Sequence, residues 1–150
     1  MIRRAFLIII VAGSVLLPPL IRAQSIQLAG LNGARFSDAD LARGATIVLV
    51  WASWSPRSRS IVERTNSIVK RWEGKARVVT VNFQEERPTV EKFLAGKPIE
   101  APVFLDSDGA FSKKYGVATL PALLVFKEGK IEYRGQLPKD ADAVIAKFLE

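Results

Sequence analysis

An apolar run, Thr46-Ile47-Val48-Leu49-Val50, leads into Trp51-Ala52-Ser53-Trp54-Ser55-Pro56-Arg57-Ser58, and the pattern then turns helical. The run is short and β-branched, so residues 45–51 are expected to form a strand buried on both faces. Ser55 stands where a helix N-cap belongs and Pro56 suits a first helical position. Ile61, Val62, Thr65, Ile68, Val69 and Trp72 then recur at helical spacing, which predicts a helix over residues 57–73 with these side chains facing inward. A buried strand delivering directly into an amphipathic helix is the unit from which α/β domains are assembled.

The rest of the chain alternates in the same way. Residues 26–28 read as a short first strand, residues 31–34 as a turn, and Ser37 as the cap of a short helix over 38–43 that Gly44 ends. Residues 76–83 form a second central strand. Residues 88–95 are expected to be a short helix, and residues 96–102 a loose, exposed loop. A brief strand over 101–105 runs into the turn Asp106-Ser107-Asp108-Gly109, followed by a helical turn over 110–115. Pro121 precedes a strand over 122–126, a hairpin turn at 127–130 and a return strand over 131–134. A helix over 139–150 closes the chain. Asp106 and Asp108 are turn formers, since the bidentate glutamate of a calcium loop is missing at the right distance. Glu85-Glu86-Arg87 reads as a solvated charge cluster.

Composition removes whole classes of function. With 150 residues, 49% of them hydrophobic, the chain holds enough for one core. It contains no cysteine, which excludes disulfides, thiolate metal sites and thiol catalysis. It contains no histidine, which excludes the commonest metal ligand and general base and with them Ser-His-Asp chemistry. No metal and no cofactor are expected. The net charge is +7, but residues 1–23 hold three arginines and no acid, so the remainder carries +4. Both signs are interspersed and no basic stripe of the kind that binds nucleic acid is present.

Residues 1–23 read as a targeting segment. Arg3-Arg4 precede an apolar run over 5–20, and Ala23 offers a cleavage point before Gln24. Ile21 is larger than the residue preferred at its place, and an uncleaved membrane anchor stays open as the alternative. Arg3-Arg4-Ala5-Phe6-Leu7 also resembles a twin-arginine export signal. The expected domains are therefore a segment over 1–23 and a folded unit over 24–150 that is exported, periplasmic or anchored facing the periplasm.

Five segments in order resemble the TlpA-like (redoxin) family of thioredoxin-fold thiol–disulfide oxidoreductases. Residues 30–41 resemble the family's lead-in turn and short helix. Residues 51–58 resemble its W-A-x-W-C-x-x-C motif, with Ser55 and Ser58 at the cysteine positions. Residues 101–109, Ala-Pro-Val-Phe-Leu-Asp-Ser-Asp-Gly, resemble the segment before the third helix. Residues 115–121, Tyr-Gly-Val-Ala-Thr-Leu-Pro, resemble the Y-G-V-x-x-x-P loop, and residues 126–135 the closing hairpin. The resemblance implies an α/β thioredoxin fold, a central mixed β-sheet flanked by helices, with Pro121 as the cis-proline opposite the motif. It also implies that the backbone at Leu120 pairs with an extended segment of a partner. The buried acid that thioredoxins proper carry upstream of the motif falls here on Leu49.

Serine does not replace the missing thiols. Its hydroxyl is too weakly acidic to ionise here, and oxygen forms no mixed disulfide. Ser55 is expected to act as an N-cap and Ser58 to sit in the first helical turn. No catalytic residue is expected, and the partner-binding candidates are Trp54, Pro56, Arg57, Leu120 and Pro121. Trp51 is expected in the core. Trp54 is either packing or an exposed anchor, and Arg57 either a solvated cation or a site for an acidic partner. Three functions remain: a module that binds an exported protein or peptide without covalent exchange; an oxidoreductase of TlpA type whose Cys-x-x-Cys is Ser-x-x-Ser in this chain; and a structural subunit of an exported assembly.

Overall fold

The structure, a computed structural model, describes residues 25–150; the targeting segment expected over 1–23 lies outside the described residues. Seven strands form one sheet: β1 (Gln27–Gly30), β2 (Arg35–Ser37), β3 (Ala45–Trp51), β4 (Arg77–Phe83), β5 (Val103–Asp106), β6 (Ala122–Lys127) and β7 (Lys130–Gln136). Their spatial order is β2-β1-β5-β4-β3-β6-β7. The middle three, β5, β4 and β3, run parallel, and antiparallel strands flank them on both sides. Four helices, α1 (Ile61–Trp72), α2 (Arg87–Leu94), α3 (Ala110–Lys114) and α4 (Ala141–Leu149), cover the two faces. This is a thioredoxin fold, a mixed sheet flanked by helices.

Alternation along the strands divides the core into two layers. Ile47, Leu49 and Trp51 of β3 point with Leu123 and Val125 of β6 toward α1, α2 and α4. Val48 and Val50 point the other way with Val79, Val81, Leu124 and Phe126, toward Phe36, Phe104 and Phe111. Trp51 is fully buried. Trp72 closes α1 and its indole N–H donates to Asp142 Oδ1 at 3.0 Å, which ties α1 to α4.

The helix expected over 57–73 is divided. Pro56–Ser58 form a turn of 3-10 helix, and α1 begins only at Ile61. Residues 38–42 are likewise a 3-10 helix, with Asp40 accepting from both the backbone N–H and the hydroxyl of Ser37. Strand β2 has no signature of its own: Arg35-Phe36-Ser37 is polar on either side of one buried ring. The stretch over 96–102 is held, not loose. Asn66 of α1 donates to the Pro98 carbonyl at 2.8 Å and accepts from the Glu100 N–H at 2.8 Å. The β6–β7 hairpin turns through Glu128 and Gly129, with φ of 49° and 79°, a pair of positive values that glycine eases at the second place.

Asp38 fastens the β1–β2 edge to α3. It accepts from the Ile26 N–H, the Lys114 ammonium and the Tyr115 hydroxyl. Burial opposes its charge, but the Lys114, Ile26 and Tyr115 hydrogen bonds outweigh burial and hold its carboxyl below the usual carboxylate range. Asp40 is also lowered, mainly by the Ser37 N–H. Burial and the neighbouring Asp38 push the Tyr115 hydroxyl upward.

This packing makes stability depend on pH. For the two aspartates the folded state binds protons less readily than the unfolded chain. Their stabilisation is therefore complete above about pH 4 and lost as the pH falls through the lowered values. Urea titrations from pH 6 to pH 2 should show a steep loss of stability in the parent and a shallower one in Asp38→Asn. Tyr115 acts in the opposite sense, its contribution present below about pH 10 and lost above it. Separately, Trp72→Ala should cost ~3–5 kcal/mol in the same titration at neutral pH, and Trp72→Phe, which keeps a ring but leaves Asp142 unpaired, ~1–3 kcal/mol.

Candidate functional site

The site is built where β3 ends. Trp51 is the last residue of the strand, and the chain then makes two tight turns, with the Ser55 N–H donating to the Ala52 carbonyl at 3.2 Å and the Ser58 N–H to the Ser55 carbonyl at 2.9 Å. Within the first of these turns Trp54 is pushed outward. It is 62% exposed and is the one large hydrophobic residue so exposed among those described.

What holds this loop is Glu85. It accepts from the Ser53 N–H at 2.7 Å, from the Ser53 hydroxyl, and from Asn82 Nδ2 at 2.7 Å. Only 8% of Glu85 is exposed, so it is no part of a solvated cluster. The chain turns sharply at Gln84, whose φ is +52°, and so carries Glu85 back beneath the loop. Leu49, at the place of the buried acid in thioredoxins proper, is fully buried among apolar side chains. A buried carboxylate is thus supplied under the motif from the end of β4 instead.

Ser58 stands in the first turn as expected and Ser55 at the N-cap position, but Ser55 does not cap with its side chain. Ser55 is 5% exposed and caps nothing with its side chain; its hydroxyl donates to the Leu120 carbonyl at 3.3 Å, across the groove. The reason is the 3-10 turn, which separates Ser55 from the N–H groups of α1. Ser58 is fully buried, and its hydroxyl has no partner among the described residues.

Opposite the motif the Leu120–Pro121 peptide bond is cis. Trp54, Ser55 and Phe83 on one side and residues 117–120 on the other enclose an open groove of about 270 Å³. Of the residues singled out in the sequence, Trp54, Ser55 and Leu120 line it. Pro121 is buried behind it, and Pro56 and Arg57 stand exposed beside it. Phe83 and residues 117–119 were missed as lining residues. The groove wall holds no titratable side chain.

Glu85 was also missed, hidden in a run of three charges. Asn82 was the available signal. A polar side chain in the middle of an otherwise apolar strand is buried, and a buried amide needs a partner nearby.

The Redoxin family profile matches residues 20–148. The chain belongs to the Redoxin family. It is 29% identical over 92 residues to sporulation thiol-disulfide oxidoreductase A of Bacillus subtilis (strain 168), a match spanning 58% of this chain and 56% of that relative. It is 23% identical over 122 residues to thiol-disulfide oxidoreductase ResA of Bacillus thuringiensis subsp. konkukian (strain 97-27), over 79% of this chain and 70% of the relative. Among solved structures, a protein assigned as the thiol:disulfide interchange protein DsbE of Chlorobium tepidum superposes with a TM-score of 0.72 at 27% identity, covering 85% of this chain and 92% of its own. StoA from Bacillus subtilis superposes with a TM-score of 0.69 at 24% identity, over 82% and 95%, a likeness of fold.

The Glu85 contacts generate a prediction. Glu85→Ala leaves the Ser53 and Asn82 donors buried without an acceptor and should cost ~1–3 kcal/mol. Because Trp51 and Trp72 are fully buried, acrylamide quenching reads mainly Trp54. Quenching should rise in Glu85→Ala as the loop loosens; an unchanged quenching constant would show that Glu85 does not hold it.

Proposed function

We propose that this protein is an exported thioredoxin-like module that holds an extended segment of a partner protein or peptide in its groove, without covalent exchange. The observation that carries the reading is the groove itself: Trp54 and Leu120 face each other across it, and a chain without cysteine keeps it open. The size of the groove favours a side chain over a small molecule. Ligand pockets run to ~300–1,000 Å³ and enclose most of what they bind; this groove is about 270 Å³ and open on one face. Its lining of aromatic, aliphatic and hydroxyl side chains offers burial and hydrogen bonding, but no proton donor or acceptor for catalysis. Exposed Trp54 has the character of an interface anchor, a residue type that carries a large share of binding energy. The carbonyl of Leu120 has a second lone pair free to accept from a partner strand.

A second reading, an oxidoreductase lineage whose dithiol is replaced, draws on family membership. It expects that Ser55→Cys with Ser58→Cys restores reduction of insulin disulfides. A folded double variant without that activity would count against it.

The binding reading is tested by capture. Protein from Gln24 onward is immobilised and an exported-protein extract from the source organism is passed over it, beside the variant Trp54→Asp, Leu120→Asp. A partner held by the parent and lost by the variant, with affinity weakened at least about 30-fold, is the expected result. A partner held equally by both would move the interface elsewhere and favour the structural-subunit reading.

A further inference from the structure

The rim of the groove is charged unevenly. Arg57 and Arg59 follow Ser55 on the 3-10 turn and its C-terminal cap, and both are exposed. Among the described residues neither belongs to an ion pair, although other surface arginines, Arg71, Arg77 and Arg87, do. Two guanidinium groups thus belong to the turn that follows groove-lining Ser55, while the groove wall itself is uncharged. The segment that follows Phe83 carries exposed acids: Gln84 Nε2 donates to the carbonyl of exposed Asp108 at 3.4 Å, and exposed Glu86 stands at the N-cap position of α2 without a side-chain cap bond. The nearest carboxylate on the motif side, Glu85, is buried and committed to Ser53 and Asn82.

We infer that the groove selects an acidic partner segment: an extended stretch whose apolar side chain fills the trough beside Trp54 while an Asp or Glu next to it meets Arg57 and Arg59. This rests on the binding reading above and names its ligand chemistry. Guanidinium groups suit this role, since they stay charged and match a carboxylate with paired donors. Their exposure keeps each contact modest and sensitive to salt.

Three capped seven-residue peptides test this. Each has a central leucine, and they differ only in carrying two aspartates, two serines or two lysines beside it; the caps remove terminal charge. Binding is read from Trp54 emission in the full mature chain. The parent should bind the aspartate peptide roughly fivefold tighter than the serine peptide, and the lysine peptide weakest. The preference should shrink toward none at about 0.5 M salt, where screening is much stronger than at physiological strength. In the double variant Arg57→Glu, Arg59→Glu the order should reverse, and in Arg57→Gln, Arg59→Gln it should flatten. Both positions are exposed, and circular dichroism checks that the variants fold.

Equal binding of all three peptides by the parent, abolished by Leu120→Asp, would overturn acid selection and leave the groove reading standing. An acidic preference that survives the charge reversal would overturn the assignment to Arg57 and Arg59. Failure of all three peptides to bind the parent would overturn both readings together.

Discussion

The burial of β3 on both faces is the constraint from which the site follows. With β4 on one side and β6 on the other, its backbone is paired throughout, and its side chains from Thr46 to Trp51 are all buried. A strand so enclosed can carry a site only beyond its ends, and here the site forms past the C-terminal one, after buried Trp51. The parallel pairing of β3 with β4 brings the ends of both strands to the same edge, so that Trp51 is paired with Asn82. Loops that leave neighbouring parallel strands at that edge are where α/β sheets present ligand sites. Trp54 comes from one of these loops and Glu85 from the other. The segment leading into β6 runs back to the same edge and supplies Leu120.

Much of this was visible in the sequence because burial writes a strong pattern. A continuous run such as residues 46–50 can hardly be anything but an enclosed strand, and the apolar repeat from Ile61 to Trp72 has no other reading than a helix face. What escaped notice depended on contacts between distant residues. Strand β2 exists because Phe36 has a cavity to fill against Phe104, with ring centroids 5.1 Å apart, and three residues carry too little pattern to announce that. Residues 96–102 look like a loose loop until Asn66, on a separate helix, fixes the backbone of Pro98 and Glu100. The site itself was legible at the level of its two lips, Trp54 and Leu120. The rest of its lining was not, since Phe83 and residues 117–119 meet only after the sheet forms.

Glu85 shows why charge in a sequence is a poor guide to exposure. Three successive charged residues normally mark a solvated surface. Here the positive φ of Gln84 reverses the chain at the end of β4 and turns one carboxylate inward, while its neighbours Glu86 and Arg87 stay at the surface. A buried carboxylate is tolerable only when donors surround it. Glu85 has the Ser53 backbone and hydroxyl and the Asn82 amide. These hydrogen bonds offset the cost of burying the carboxylate, and in making them it holds the loop that carries Trp54.

The two serines then bear on the site in different ways. A thiol at position 55 would be a weak hydrogen-bond donor, whereas the serine hydroxyl is a full one. It reaches the Leu120 carbonyl at 3.3 Å, past the optimum for an O–H···O bond, so the contact is a weak one. A weak internal bond across the groove has a consequence for the proposed binding role. It links the motif loop to the lip that carries the cis-proline, and a partner's N–H that took the same carbonyl would displace little. Ser58 plays no comparable part. Its hydroxyl is buried without a partner among the described residues, a cost that a stability argument alone would not select. The asymmetry separates the pair. Position 55 faces the groove and takes part in shaping it, and position 58 lies behind it, where its serine contributes no contact to anything that binds in front.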